Sequence, residues 1–365
     1  MTKFLSWILF VGIVLFITAY VVNRQLESTV VEPVASSNNY SSGTFKNDNP
    51  RRALSFGEYM TLVKRWFTEE KVDPEPTKPI PLKALSKSQL EALNDDEVHL
   101  VKLGHSSILL KVSGEYWLLD PVFSERASPF SFTGPKRFQP TPIQIEDLPP
   151  ISKVLISHNH YDHLDKATIQ ALASSVGQFL VPLGVEGDLE KWGVSRDKIQ
   201  KFHWWEELQT ENALVVFTPT QHFSGRGLGD ENRTLWGSWV VKTDTASLYF
   251  SGDSGYFAGF EAIGDKYGPF DITMLEVGAY NKDWPDIHML PEEAVQAHID
   301  LRGSRMMPIH NSTFDLAFHP WYEPLERVAT EAESREVNLI TPLVGELFTA
   351  KQTEIGSQWW PAVKQ

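Results

Sequence analysis

Four residues within six positions carry the densest chemistry of the sequence: His158, His160, Asp162 and His163, in the run His158-Asn159-His160-Tyr161-Asp162-His163. Imidazole and carboxylate are the ligands that zinc accepts where thiolate is absent. The chain has no cysteine, so disulfides and thiolate metal sites are excluded and any metal must rest on His and carboxylate. The run follows an apolar strand, Lys153-Val154-Leu155-Ile156. Side chains alternate along an extended segment, so His158 and His160 point the same way and can grip one ion. Asp162 and His163 fall where the chain turns and can reach a second. The bland alternative is a polar loop with accidental histidines. Three His and one Asp straight after a hydrophobic strand argue against it. Two adjacent metal ions lower the pKa of a bound water to about 7 and clamp both sides of an in-line phosphoryl displacement. No Ser-His-Asp or P-loop pattern competes with this site.

The elements that must position these residues begin near residue 98. VHLVKLG, SILLKVS and EYWLLDP read as three short strands in succession, which suggests antiparallel neighbours. KVLISH is a buried strand, followed by a helix from about Lys166. FLVP, ALVVFTPT, WGSWVVK, SLYFSGD and DITMLEV are further strands. PEEAVQAHIDLRG reads as a helix with Pro291 in its first turn and Gly303 after it. MMPIH is another strand and PLERVATEAESRE another helix. Strands with intervening helices predict an α/β fold of helices layered on sheets.

Upstream, residues 4 to 22 carry no charge. Nineteen helical residues span roughly 28 Å, close to the thickness of a bilayer's hydrocarbon. Residues 1–23 are therefore expected to be a transmembrane signal anchor rather than a cleaved signal peptide. Lys3 precedes the run and Arg24 follows it. That bias weakly favours a cytoplasmic N-terminus and a catalytic domain outside the cytoplasm, periplasmic in a Gram-negative source. Residues 24–53 are rich in Ser, Asn, Val and Pro without periodicity and are expected to be a flexible linker. Residues 54–97 form an N-terminal helical extension. Within it Phe56, Tyr59, Met60, Val63, Trp66 and Phe67 share one helical face behind Ser55 as N-cap. The plain expectation is that this face packs on its own domain; contact with lipid is the alternative. Residues 98–365 make up the catalytic domain.

With 33 Lys and Arg against 47 Asp and Glu, the net charge is −14. An acidic protein is poorly suited to neutralise phosphate backbones, so no nucleic-acid partner is expected.

The motif His158-x-His160-x-Asp162-His163 resembles the signature of the metallo-β-lactamase superfamily, an αββα four-layer sandwich with metals at one edge. The resemblance supplies the remaining ligands. Thr218-Pro219-Thr220-Gln221-His222 closes a strand, and His222 resembles the third His of the first metal. In Ser251-Gly252-Asp253-Ser254-Gly255, Asp253 resembles the carboxylate that bridges both. In Met307-Pro308-Ile309-His310, His310 resembles the last ligand of the second metal. The match is closest to the N-acyl-phosphatidylethanolamine-hydrolysing phospholipase D family and covers roughly residues 60 to 350. It runs through Leu103-Gly104-His105, Asp120 to Ser124, Arg126 to Pro129, Gly134 to Phe138, Leu148 to Ile151 and Ile156 to Asp165. It continues in Trp204 to Glu207, Leu235 to Trp239, Gly252 to Tyr256, Gly268 to Asp271, Val277 to Tyr280 and Pro291 to Val295. Two blocks depart from the family: Asn311-Ser312-Thr313-Phe314 after His310, and Phe223-Ser224-Gly225-Arg226 after His222. Each lacks the family's Trp, which bears on acyl-chain preference rather than metal chemistry.

The resemblance implies two Zn2+ per chain. His158, His160 and His222 would hold one, Asp162, His163 and His310 the other, with Asp253 between them. The implied reaction is hydrolysis of a phospholipid phosphodiester to phosphatidic acid and an N-acylethanolamine. Asp162 and His288 are the expected catalytic residues. His288 matches a family His that lies near the metals without binding them. It is placed to bond a phosphate oxygen or protonate the departing alkoxide, help typically worth about 10²–10⁴ in rate. His105 is expected to have a structural role at a strand end, and His99, His203, His298 and His319 structural or surface roles. The expected partners are a phospholipid substrate, a membrane reached through the anchor, and, as a further candidate, a second copy of the chain. The aromatics Phe123, Phe130, Phe132, Phe138, Phe223 and Trp284 are expected near the mouth of the site. The runner-up activity is a metal-dependent lactonase or a hydrolase of another phosphorylated metabolite. A metal-binding scaffold without catalysis is disfavoured because all seven ligand positions are filled.

Overall fold

A computed structural model describes residues 11, 17–30, 39–52, 54–352, 355–356 and 358–364. A short hairpin, β1 (Tyr40–Ser41) and β2 (Thr44–Phe45), precedes the main sheets. The first half of the domain supplies β3 (His99–Gly104), β4 (Ser107–Val112), β5 (Glu115–Leu119), β6 (Ile151–Leu155), β7 (Gln178–Pro182) and β8 (Ile199–Phe202). The second supplies β9 (Glu207–Gln209), β10 (Leu214–Thr218), β11 (Ser238–Lys242), β12 (Ser247–Phe250), β13 (Phe270–Glu276), β14 (Gly303–Ile309) and β15 (Leu347–Thr349). One sheet has the order β15-β3-β4-β5-β6-β7-β8 and the other β14-β13-β12-β11-β10-β9. As expected, β3, β4 and β5 are antiparallel neighbours; β5 to β8 and β12 to β14 run parallel.

The near-continuous hydrophobic strands follow from cover on both faces. Leu100, Ile108, Leu110, Trp117 and Leu119 meet Val215, Phe217, Trp239, Ile272 and Met274 in the core between the sheets. Their strand neighbours Val101, Leu109 and Leu118 face outward onto the helices Lys166–Leu172 and Glu186–Lys191, through Ile169, Leu172 and Leu189. On the far side Val216, Val240 and Leu275 face the helices Gly259–Tyr267, Pro291–Asp300 and Glu323–Ser334. The period-two alternation thus builds four layers, αββα, as the sequence suggests.

Three upstream expectations fare differently. Residues 1–10 and 12–16, most of the expected anchor, lie outside the described residues. Among the described residues no helix is long and apolar enough to cross a membrane, so the transmembrane anchor finds no support there. The segment expected as a free linker is docked where it is described. The Ser28 N–H donates to Asp230 Oδ2 (2.6 Å), and Asn159 Nδ2 donates to Ser28 Oγ (2.8 Å). Phe45 is 1% exposed within the inter-sheet core. Composition favoured a tether, but one buried ring and a few backbone hydrogen bonds outweigh it. Phe45→Ala is expected to cost about 3–5 kcal/mol, as for other buried aromatics. Urea unfolding measures this, and an unchanged midpoint would show the hairpin to be undocked.

The helix Phe56–Thr68 forms with the expected Ser55 cap: Ser55 accepts from the Glu58 N–H, and Glu58 accepts from the Ser55 N–H. None of its residues is buried. Most of its apolar face is therefore uncovered, and Phe56 and Phe67 are 80% and 82% exposed. The helix is held at one flank, by the Arg65–Asp283 ion pair and by Trp66 edge-on to Phe318.

Candidate metal centre

Both sheets bring their strand ends to one edge. His158 to His163 follow β6, His222 follows β10, Asp253 follows β12 and His310 follows β14. Carboxyl ends of parallel strands are where open α/β sheets place their ligands. The structure gathers all seven residues singled out in the sequence. His158 Nε2 lies 2.9 Å and His222 Nε2 3.3 Å from His160 Nδ1. Both His158 Nε2 and His222 Nε2 stand 3.7 Å from Asp253 Oδ2. These four residues form one candidate ligand group. In a second, Asp162 Oδ2 lies 3.1 Å from His310 Nε2 and 3.5 Å from His163 Nε2. Asp253 faces this group too, with His163 Nε2 3.1 Å from Oδ1 and His310 Nε2 3.1 Å from Oδ2.

The surrounding contacts fix which nitrogen of each ring points inward. His163 donates Nδ1–H to Asp120 Oδ2 (2.7 Å), and His222 donates Nδ1–H to the Ile287 carbonyl (2.8 Å). Asp120 also accepts from the Ser157 N–H and hydroxyl, which locks β5 to the start of the motif. Asn47 of the docked segment grips His222 twice, accepting from its N–H (3.1 Å) and donating to its carbonyl (2.8 Å). Gly252, at φ +55°, lets the Asp253 loop lie against Ser157; a Cβ there would come within 2.6 Å of the Ser157 Cβ. His105, Asp120 and His310 all take positive φ, an uncommon backbone state that clusters at functional sites.

Electrostatics divide the two groups. Burial holds His158 and His222 well below the ordinary imidazole range and His160 at about 4, so all three are neutral. Burial also opposes charge on His163 and His310, but the Asp253 and Asp162 carboxylates outweigh it. His163 is raised well above its ordinary value and His310 to about 10. Asp162 and Asp253 are held well below the carboxylate range, burial being outweighed by their histidine neighbours. Buried His163 Nε2 and Asp253 Oδ1 have no hydrogen-bond partner despite their mutual approach. Imidazole nitrogens and carboxylates that converge in this way fit cations placed among them once the protons of His163 and His310 leave.

Sequence reasoning missed three neighbours. His105 is no isolated strand-end residue: its Nε2 lies 3.0 Å from Asp162 Oδ2, and burial lowers its pKa to about 3. Asp120 and Glu276 end β5 and β13 as fully buried carboxylates. His288 lies at the rim with its Nδ1 2.8 Å from Glu276 Oε2, and together with Asp253, Glu276 and His310 it forms a further candidate ligand group. The other histidines have local partners away from the centre. His99 meets Asn94, His203 meets Asn39, His298 meets Thr273, and His319 accepts from the Ala279 N–H. Of the mouth aromatics, Phe223 stacks edge-on to His160, Trp284 lies beside Phe318, and Phe123 and Phe138 pack on the outer cores. A cavity of about 320 Å³ adjoins the motif through Tyr161 and is lined by Arg126, Phe130, Lys166, Trp192 and Arg226. It contains none of the seven clustered residues.

Residues 116–311 match the family model described as Beta-lactamase superfamily domain. An uncharacterised protein of Mycobacterium tuberculosis is 41% identical over 329 residues, which cover 89% of this chain and 87% of that protein. N-acyl-phosphatidylethanolamine-hydrolyzing phospholipase D 1 of Caenorhabditis elegans is 33% identical over 265 residues, 68% of this chain and 74% of that protein. The metallo hydrolase Igni18 of Ignicoccus hospitalis shares the fold, with a TM-score of 0.52 and 22% identity over 69% of this chain and 97% of that one. The chain belongs to the metallo-β-lactamase superfamily of metal-dependent hydrolases, close to the N-acyl-phosphatidylethanolamine-hydrolysing phospholipases D.

Proposed function

We propose that the chain is a dizinc phosphodiesterase of phospholipase D type acting on N-acyl-phosphatidylethanolamine-like phospholipids. The carrying observation is the convergence of two candidate ligand groups, His158, His160, His222 and Asp253 in one and His105, Asp162, His163 and His310 in the other, with Asp253 also facing His163 and His310, in a chain one-third identical to such a lipase. His158, His160 and His222 would hold one zinc, and Asp162, His163 and His310 the other, with Asp253 common to both. Bound there, two zinc ions would supply an activated water and charge neutralisation for an in-line displacement at phosphorus. Water oxygen joins phosphorus, the bond from phosphorus to the ethanolamine oxygen breaks, and that oxygen gains a proton. The products are phosphatidic acid and an N-acylethanolamine. His288, at the rim, bonds the phosphate or delivers that proton. Work at a lipid surface is supported by the exposed Phe56, Tyr59, Met60 and Phe67. In this reading the apolar N-terminal run keeps the enzyme at the membrane, on its non-cytoplasmic side.

The test is a panel of phospholipid vesicles in ¹⁸O-water with product mass spectrometry. N-acylethanolamine together with ¹⁸O-labelled phosphatidic acid is expected. Turnover of soluble lactones or sugar phosphates alone would replace the lipid reading with the runner-up. His288→Ala is expected to lower kcat by about 10²–10⁴ with both metals retained, and by less for a nitrophenyl ester, whose leaving group needs little protonation. Equal losses on both substrates would remove the proton-delivery role.

A further inference from the structure

β13 carries Ile272, Met274 and Leu275 through the buried sheet and ends on a carboxylate, Glu276, with no exposed surface. Among the described residues its ion-pair partners are His288 and His310, the latter at 4.0 Å; no Lys or Arg appears among them. Its two oxygens do separate jobs. Oε1 accepts from the Ser254 N–H (2.9 Å) and the Met289 N–H (3.2 Å), which ties the Asp253 loop to the His288 loop. Oε2 lies 2.8 Å from His288 Nδ1. An ionised carboxylate can only accept, so this contact places a hydrogen on Nδ1, and in the neutral ring it leaves Nε2 without one. The His288 side chain is 12% exposed, at the rim beside His222 and His310, with ring centroids 5.1 Å and 5.3 Å away.

We propose that Glu276 is the positioning residue of His288: by accepting Nδ1–H it holds the ring in the tautomer and orientation that present Nε2 to the substrate. The proposal rests on His288 acting in the reaction proposed above. In that reaction Nε2, after taking up a proton from solvent, delivers it to the departing ethanolamine oxygen. A carboxylate behind the other nitrogen steadies the ring through that transfer. A loop staple alone would need only Oε1. The second oxygen, buried and directed at a histidine nitrogen, is what the staple leaves unexplained.

Glu276→Gln separates the two jobs. Its amide carbonyl can keep both backbone contacts, while its NH2 now faces Nδ1 and donates to it. The ring must then carry its hydrogen on Nε2. In the zinc-loaded full chain, ¹⁵N NMR of labelled histidine is expected to show His288 as the Nδ1–H form. It should show the Nε2–H form in Glu276→Gln, with zinc content unchanged. Turnover of N-acyl-phosphatidylethanolamine should fall about 10²–10³-fold, and the double variant with His288→Ala should be no slower than His288→Ala alone. Nε2–H in the unsubstituted protein overturns the proposal whether or not the variant folds. So does zinc loss in Glu276→Gln, which would reduce Glu276 to a loop staple. An unaltered rate in Glu276→Gln with the tautomer switched would overturn it as well. The tautomer measurement needs no substrate, so it stands if the lipid reading falls.

Discussion

Raising the pH from about 6.5 to about 8.5 is expected to tighten binding of the second metal ion far more than the first. Metal binding requires neutral imidazole, so any ligand that is protonated in the empty site must release its proton. His158, His160 and His222 are already neutral there, and Asp253 is already ionised. The first ion therefore displaces almost no proton, and its affinity is nearly flat with pH. His163 and His310 are protonated, His310 up to about 10, because Asp253 and Asp162 face them. Each proton displaced makes affinity change tenfold per pH unit. With two such protons to displace, the second ion should gain up to about a hundredfold per unit. Calorimetry in buffers of different ionisation enthalpy counts the protons, and equal release at both steps would refute the division. The same shifts govern the stripped protein. A folded pKa raised above 6.5 stabilises fully at low pH, and the contribution is lost as pH rises toward the folded value. Chelated protein should thus lose stability as pH rises from about 6.5 to about 10.

The second large effect belongs to Asp253→Asn. This carboxylate faces both groups and is 2% exposed. An amide keeps the volume but removes the charge that two cations would share and offers one oxygen instead of two. Loss of several kcal/mol of charge stabilisation corresponds to a fall in kcat on the order of 10³ or more. Metal content should drop below one ion per chain by elemental analysis. A variant that keeps two ions and its rate would remove Asp253 from the centre.

Much of this arrangement was legible because its parts are local. Apolar strands that end in His or Asp were visible as runs, and burial on both faces explains why Leu100 and Val101 are both hydrophobic. The hidden parts are tertiary. Glu276 reads in sequence as the polar end of a strand, and nothing nearby shows that β13 delivers it under His288. Asp120 lies in a stretch that resembles the family, yet its bond to His163 exists only because β5 and β6 are parallel neighbours. His105 reaches Asp162 because β3 ends at the same edge. The periodicity of Phe56–Thr68 declared an apolar face but not what covers it. The segment near Phe45 had no periodicity to read.

The clamp of Asn47 on His222 also bears on inheritance. Were the metal site complete from β3 onward, it could travel as one block and be joined to any leader. Here the backbone of one histidine in the centre is held by a residue that lies before the block, and the Asn159 side chain within the motif is held by Ser28. A recombination point placed at residue 54 would separate the centre from its own brace. The heritable unit extends upstream to Ser28 and Asn47, and leaders exchanged between relatives must bring matching contacts with them.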